Sequence, residues 1–600
     1  MSTGNARTYR LFFAALLVGV SFAVYWNTLS NGFVYDDNFQ VLKNPWIRGF
    51  NHLPEIFTTD SYGFMEEGFR TNTYRPMLFT VYGVEYALFG LKPWGWHLFN
   101  VIFHAANSVM VFFTLSLLLK GEGGEAASRP YSLDLHAFAG ALIFTVHPAN
   151  SEAVAWVGCV PELMYTLLCL ASFYLYVVTA RDEKGGGRVF AGRSLSVFFF
   201  FAAAFFKETA AALPLFIFVY DCLVRKDESV ISPGKVKRYL PYFLAGVAYL
   251  VIRYHAIGGM APGYKMHAYL SGFQKLLNIF PLFVKYLWTL ILPLSYHPIQ
   301  PLDPVFSLFE TRAVLSVLIT LGLSAAVFIF RKKLHPLFLL SFSIIVIPLL
   351  PGLYAYSVSI TPFSDRYLYF PTIGFALAVS LASRELSLKG GSTGFRGAPP
   401  FFIAAAVFYS FISAGRNAVW RDDLSLWNAS YGGSKDNYIA VYSLGDIALK
   451  KGMTDEAIVR LDEALRLNKG RKYPDSSTMY LTHKALAEAY DRKGHANELM
   501  NEYTEILRIK PDDAFASYNL AVMYQARGFL KESIELYKNA LASAAKPRHR
   551  RDILNNIGVC YAGMGMPEEA VANYREALKY SPGDPVVLNN IKAATDKGGR

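Results

Sequence analysis

Two adjacent acids, Asp36 and Asp37, stand just beyond the first long apolar run, in Asn31-Gly32-Phe33-Val34-Tyr35-Asp36-Asp37-Asn38. Carboxylates at a membrane surface, beside aromatic residues, suit proton transfer on a lipid-borne substrate. Similar clusters recur at the ends of later apolar runs. They are Tyr74-Arg75-Pro76, the stretch from His147-Pro148 through Glu152 to Trp156, Lys207-Glu208, Tyr296-His297-Pro298, and Ser364-Asp365-Arg366-Tyr367-Leu368-Tyr369. A charge at a membrane edge is costly unless paired or wet, so each cluster has a functional reading by default. Together they could support glycosyl transfer from a polyprenyl-phosphate sugar. A carboxylate would take the proton from an acceptor hydroxyl as it attacks the anomeric carbon. Cations would hold the departing phosphate, with Arg best suited to bidentate contact. The rings of Tyr35, Tyr74 and Trp156 could stack on the sugar and the prenyl chain.

The elements that must position these residues are membrane spans. The chain has 600 residues, of which 53% are hydrophobic and only 17% charged, against roughly 25% charged in soluble proteins. Mean hydropathy is +0.25. Apolar runs predict eleven to twelve spans in an all-α membrane domain over residues 1–415, near 11–29, 97–119, 135–149, 161–180, 194–206, 208–224, 239–256, 311–330, 335–352, 367–384 and 399–415. The run at 11–25 follows Arg7 and Arg10 and has no small-x-small cleavage site after it, so it reads as a retained helix. Arg7 and Arg10 place the amino terminus inside. Four further basic loops then fall on the same side, containing Arg181, Lys184, Arg188 and Arg193; Arg225, Lys226, Lys235, Lys237 and Arg238; Arg331, Lys332 and Lys333; and Arg384, Lys389 and Arg396. Asp36, Asp37 and a first loop over 30–96 emerge outside. To keep that register, 273–295 is read as re-entrant, interfacial or a hairpin, and 76–92 as lying along the surface. The net charge of +12 reflects these loops and anionic lipid, not nucleic acid. The four cysteines, Cys159, Cys169, Cys222 and Cys560, show neither a disulfide framework nor zinc spacing.

After a linker at 416–437 the composition turns polar, and 438–595 carries four repeats. Equivalent positions are Leu444-Gly445, Leu486-Ala487, Leu520-Ala521 and Ile557-Gly558, at offsets of 42, 34 and 37 residues. Each unit has a Gly some eight residues later, then small and aromatic residues. This is the helix–turn–helix pattern of tetratricopeptide repeats, with polar inserts at 469–477 and 546–551. Stacked units bury a shared core and leave a groove suited to peptide or protein.

The order Phe33-x-Tyr35-Asp36-Asp37, Tyr74-Arg75-Pro76, His147-Pro148-(x3)-Glu152-Ala153-Val154-Ala155-Trp156, Lys207-Glu208, Asp365-Arg366-Tyr367-Leu368-Tyr369-x-Pro371 and Arg416-(x3)-Trp420-x-Asp422 resembles the transmembrane and tetratricopeptide-repeat O-mannosyltransferases. It also resembles their bacterial relatives in the GT-C glycosyltransferase group. The resemblance covers nearly the whole chain. It implies a GT-C membrane fold, a polyprenyl (dolichyl) phosphate sugar donor, and an acid of the first outer loop at the reacting centre. By that resemblance Asp36 is the general base and Asp37 its helper or the substrate orienter. Donor or substrate contacts fall to Arg75, Lys207, Arg366, Tyr74, His147, Glu152 and Trp156. One departure stands out. The tract Gly158-Cys159-Val160-Pro161-Glu162 keeps the acid at Glu162 but has Val160 where the family often has Arg. Arg75, Lys207 or Arg366 must then supply the missing cation.

Structural readings compete at each position. Asp36 and Asp37 could end a helix among lipid headgroups, and Arg75 and Arg366 could snorkel. Lys207 and Glu208 could neutralise each other. His147 and His297, each before Pro, could shape loops. Glu152 with Asp36 could hold a metal, but neither a divalent metal nor a cofactor is expected. The leading function is sugar transfer, mannose-like, to a protein Ser/Thr, lipid or glycan hydroxyl on the outer face, with an acceptor polypeptide delivered by the repeat groove. The alternatives are a membrane-anchored scaffold and a lipid-linked glycan transporter. The expected location is a bacterial inner membrane with a periplasmic site, or else the endoplasmic reticulum with a lumenal one.

Overall fold

The computed structural model describes residues 3–65, 71–120, 130–182, 186–225, 233–259, 267, 269–353, 361–389, 398–544 and 546–598. Lys184, Lys226 and Arg396 of the basic loops lie outside these residues. The described chain is helical and contains no strand. It divides into two compact units, Met1–Gly433 and Ser434–Arg600.

Eleven helices of the first unit coincide with the eleven apolar runs. Eight of them are long and apolar enough to cross a membrane: Arg7–Ser30, Pro93–Lys120, Val157–Arg181, Gly186–Ala204, Val236–Ile257, Thr311–Phe330, Pro336–Leu353 and Phe401–Trp420. The run Leu133–Val146 is apolar but shorter. The helix Pro371–Lys389 is long enough, but its carboxyl-terminal half carries Arg384, Glu385 and Lys389. The run at 208–224 is not one helix. It opens as a 3-10 turn, Glu208–Ala212, and only Leu213–Leu223 is α-helical. Pro214 sits in the first α-helical turn, where its missing N–H costs nothing. The stretch at 273–295 is two short helices, Gly272–Leu277 and Ile279–Ile291. The longer, at 13 residues, rises about 20 Å, short of the ~30 Å hydrocarbon core. The stretch at 76–92 holds the 14-residue helix Pro76–Phe89.

Close helix contact in an apolar solvent relies on small residues, because lipid supplies no hydrophobic drive between helices. Gly374 shows this where Pro371–Lys389 meets Pro336–Leu353. A Cβ at Gly374 would stand 2.6 Å from the Ser341 carbonyl oxygen. The approach lets the Ser341 hydroxyl donate to the Gly374 carbonyl at 2.7 Å.

The second unit is four helix pairs and a closing helix. The pairs are Tyr438–Lys450 with Thr454–Lys469, Ser476–Lys493 with Ala496–Ile509, Ala514–Ala526 with Leu530–Ser543, and Pro547–Gly563 with Pro567–Tyr580; Pro585–Gly598 follows. Gly452, Gly494, Gly528 and Gly565 end the first helix of each pair with φ of 79°, 70°, 81° and 73°. This left-handed region is strained for a residue with a Cβ, which explains the repeating Gly. The small position seven residues earlier is also required: a Cβ at Gly558 would meet the Tyr574 ring at 2.5 Å. The insert after the first pair is pinned by Asn468, whose amide donates to the Asp475 carbonyl and accepts from the Asp475 N–H at 2.9 and 2.8 Å.

A Leu at Gly374 must push two helices apart. The expected loss is on the order of 1–3 kcal/mol, read as a lower Tm of the detergent-solubilised protein. Gly322→Leu, on Thr311–Phe330 with nothing within 4 Å of its Cβ, should leave Tm unchanged.

Candidate active site

At the end of the first span the chain makes a 3-10 turn, Trp26–Ser30, and then a tight bend. Tyr35 sits at φ 57°, an uncommon conformation for a bulky residue. The bend is held from far along the chain. The Asp423 carboxylate accepts from the Tyr35 N–H at 2.8 Å and from the Asn38 amide at 2.9 Å. The Tyr35 ring lies edge-on between Trp156 and Trp427, at 5.6 and 5.8 Å.

The bend separates two neighbouring acids into different environments. Asp37 is fully buried. Its carboxylate accepts from the Val34 N–H at 3.2 Å and from the Trp156 indole N–H at 3.0 Å. Burial pushes its pKa well above the usual value, against the pull of those donors. Asp36 remains partly exposed, and its carboxylate has no hydrogen-bond or ion-pair partner among the described residues. Burial raises its pKa too, while the charges of Arg366 and Arg75 draw it down. Asp37 is therefore a structural latch, and Asp36 is the carboxylate left open beside it.

Around Asp36 runs a chain of buried ion pairs. Arg366 donates to Glu152 at 2.7 Å and stands 3.7 Å from Glu162. Glu162 also takes Lys207 at 2.8 Å. Glu152 is capped by the Asp365 N–H at 3.1 Å and by the Ser364 hydroxyl. Arg366 further lies over the Trp156 ring at 5.1 Å, and Lys207 over Tyr367 at 4.7 Å. A second pair, Arg416 with Asp365 at 3.0 Å, ties the helix Ala398–Asn417 to the same loop. The two terminal nitrogens of Arg416 also reach the carbonyls of Pro148, Pro293 and Ser295, while its Nε has no partner among the described residues. Burial lifts Asp365 to about 7 in spite of Arg416.

Arg75 differs from the other cations. It forms no ion pair among the described residues; its buried Nε, like that of Arg416, has no hydrogen-bond partner there. It feels the charges of Glu208 and Glu162 without touching either. A guanidinium in that state is ready for a phosphate or carboxylate from outside the chain. With Arg366 and Lys207 already engaged by acids, Arg75 is the best placed of the three to supply the cation absent at Val160.

The structure brings Asp36, Arg75, Glu152, Trp156, Glu162, Lys207 and Arg366 together, but in different roles. Trp156 is 4% exposed and stacked on Trp420 at 5.2 Å, so it offers no free face to a sugar; it anchors Asp37. Tyr74 is buried, with its hydroxyl donating to the Phe57 carbonyl at 2.7 Å, and shapes the Arg75 loop instead of stacking on substrate. His147 is buried, with one ring nitrogen 3.0 Å from the Leu290 carbonyl and the other accepting from the Ala149 N–H. Burial lowers its pKa to about 3, so it is a neutral loop former. Lys207 and Glu208 do not pair with each other; Glu208 faces Arg253 at 4.0 Å. The sequence reading missed Asp423 and Trp427, which hold the Tyr35 bend. Both follow the Trp420-x-Asp422 motif, so its continuation into Asp423–Gly433 was the available signal.

These observations define a class: a polytopic α-helical membrane protein with a buried acid–cation site at one end of its helices, followed by a tetratricopeptide array. The tetratricopeptide repeat profile matches residues 512–582. The homologues are protein O-mannosyl-transferases. Identity is 23% to human Protein O-mannosyl-transferase TMTC3, over 97% of this chain and 70% of that protein. It is also 23% to Drosophila melanogaster Protein O-mannosyl-transferase Tmtc3, over 86% of this chain and 62% of that protein. The chain thus spans about two thirds of the length of these two relatives. Among solved structures, MamA protein aligns with 33% of this chain and 90% of its own, at 18% identity and a TM-score of 0.22.

Releasing the Tyr35 bend displaces Asp36 without touching it. Asp423→Ala is expected to lower turnover by about 10- to 100-fold and to leave the donor KM nearly unchanged. Steady-state kinetics on the reconstituted protein check this.

Proposed function

We propose that the protein is a GT-C-type glycosyltransferase that moves a mannosyl group from a polyprenyl phosphate to a Ser or Thr hydroxyl of a polypeptide, on the membrane face away from the cytoplasm. The observation that carries this reading is Asp36. Among the described residues it is an acid without a hydrogen-bond or ion-pair partner, in a site where Asp37, Glu152, Glu162 and Asp365 are engaged. The names of the homologues supply the sugar and the acceptor class.

The chemistry follows from these roles. Asp36 accepts the proton of the acceptor hydroxyl as its oxygen forms a bond to the anomeric carbon. The bond from that carbon to the phosphate oxygen breaks, and the lipid phosphate leaves with the electron pair. Arg75, whose Nε has no partner among the described residues, meets that charge. Arg366, fixed by Glu152 and Glu162, holds positive potential beside Asp36 and favours its ionised form against the effect of burial. The tetratricopeptide unit supplies a surface for the polypeptide acceptor. The lumen of the endoplasmic reticulum and a bacterial periplasm both fit the face proposed, and the homologues favour the former. We further propose that the reaction runs without a divalent metal, because Asp37, Glu152, Glu162 and Asp365 around Asp36 are already matched by arginine, lysine and indole N–H groups.

Transfer from radiolabelled polyprenyl-phosphate mannose to Ser/Thr peptides tests the reading. Asp36→Asn should cut turnover by about 10²- to 10⁴-fold and still bind donor; full activity in that variant would refute the assignment. The base works deprotonated, so kcat/KM should rise with pH through a midpoint above the ordinary carboxylate value of 3.8. Because Arg75 draws that pKa down, Arg75→Gln should move the acid limb to higher pH and raise the donor KM. Chelation of divalent ions should leave the rate unchanged.

A further inference from the structure

The 3-10 turn Asp365–Leu368 carries two tyrosines, Tyr367 inside it and Tyr369 as its cap. At three residues per turn, consecutive side chains leave such a turn about 120° apart, so Asp365, Arg366 and Tyr367 meet different surroundings. Asp365 pairs with Arg416, and Arg366 with Glu152. Tyr369 is fully buried, and its hydroxyl lies 2.8 Å from a ring nitrogen of His104. Tyr367 is half-buried. Its ring packs beside Gly352, at 3.8 Å from where a Cβ would stand.

Tyr367 belongs to the candidate active site. Lys207 Nζ lies 4.7 Å from its ring centre and the Arg366 guanidinium 5.2 Å. Its hydroxyl is within electrostatic reach of Arg366 and of Arg75. That hydroxyl has no hydrogen-bond partner among the described residues. The donors around it are spent. The hydroxyls of Ser364 and Tyr286 go to Glu152 and to the Pro362 carbonyl, and the Trp156 N–H goes to Asp37. Arg366 and Lys207 are held by Glu152 and Glu162. An open hydroxyl within reach of two arginines suits an anionic oxygen that enters with a substrate.

Resting on the donor class proposed above, we propose that Tyr367 is a further catalytic residue: its hydroxyl donates a hydrogen bond to the phosphate oxygen that parts from the anomeric carbon, beside Arg75. The proton stays on the phenol oxygen throughout. What changes is the acceptor. In the intact donor the bridging oxygen shares its electrons with carbon and accepts poorly. As the bond from carbon to oxygen breaks, the electron pair collects on that oxygen and the hydrogen bond strengthens. A contact of this kind lowers the barrier without tightening the ground-state complex. Arg75 and Tyr367 thus divide the work. The guanidinium holds the phosphate through binding and reaction, and the hydroxyl acts on the oxygen that becomes charged.

Tyr367→Phe removes the hydroxyl alone and keeps the ring beside Lys207, Arg366 and Gly352. With the full chain in lipid nanodiscs and polyprenyl-phosphate mannose as donor, kcat should fall by about 10²- to 10³-fold, with donor KM and Tm unchanged. The product, polyprenyl phosphate, carries full charge on the released oxygen, so its affinity should fall by about tenfold or more. A raised donor KM at constant kcat, a lowered Tm, or wild-type turnover in Tyr367→Phe overturns the proposal. In an Arg75→Gln background the same substitution should cost less than in wild type, because both groups act on one phosphate; equal cost in the two backgrounds overturns the shared contact. Binding of radiolabelled polyprenyl phosphate, read without turnover, separates this proposal from the transferase reading. Weaker binding by Tyr367→Phe than by a wild type that transfers no mannose supports the phosphate contact and counts against the transferase. Equal binding by both overturns the contact even where transfer occurs.

Discussion

A carboxylate buried at the edge of a membrane must be matched, and the rest of the site is organised around that demand. Arg366 bridges Glu152 and Glu162, and Lys207 completes the row. Breaking one such buried pair leaves a charge stranded, at a cost of about 3–5 kcal/mol. The pairs therefore fix the positions of four separate chain segments. Trp156, wedged between Arg366 and Trp420, carries that order to Asp37, and Asp37 carries it to the bend that presents Asp36. The availability of Asp36 depends on Asp37, Glu152 and Glu162 being occupied.

The same arrangement accounts for the division of labour between adjacent identical side chains. Asp36 and Asp37 differ by one peptide unit, yet one is a latch and the other faces the site. A positive φ at Tyr35 makes this possible, and Asp423 holds that angle from nearly four hundred residues away. Local strain at a candidate catalytic residue, stabilised by distant contacts, is a recurrent way of pre-organising a site.

Much of this was legible in the sequence. Apolar run length located eleven helices, and the recurrence of Leu-Gly or Leu-Ala with a later Gly located the repeat array, because both signals are local. The clusters at helix ends named most of the site for the same reason: ionisable residues are rare there. What was not legible depends on long-range pairing. Lys207 reads as the partner of Glu208 because they are neighbours, but the chain turns between them and Lys207 finds Glu162. Tyr74 and Trp156 read as stacking platforms by residue type, but burial removes their faces. The broken helix after Glu208 was hidden by uniform hydropathy, which does not register a 3-10 turn.

The measurement that tests this account most directly compares Asp36→Asn with Asp37→Asn in one preparation, reading both Tm and single-turnover sugar transfer. The account predicts that Asp36→Asn keeps the wild-type Tm and loses the chemical step. It predicts that Asp37→Asn, which sets an amide N–H against the donors from Val34 and Trp156, loses about 1–3 kcal/mol of stability and shows a lower Tm. The reverse pattern, with Asp36→Asn unstable but active and Asp37→Asn stable but inactive, would contradict it.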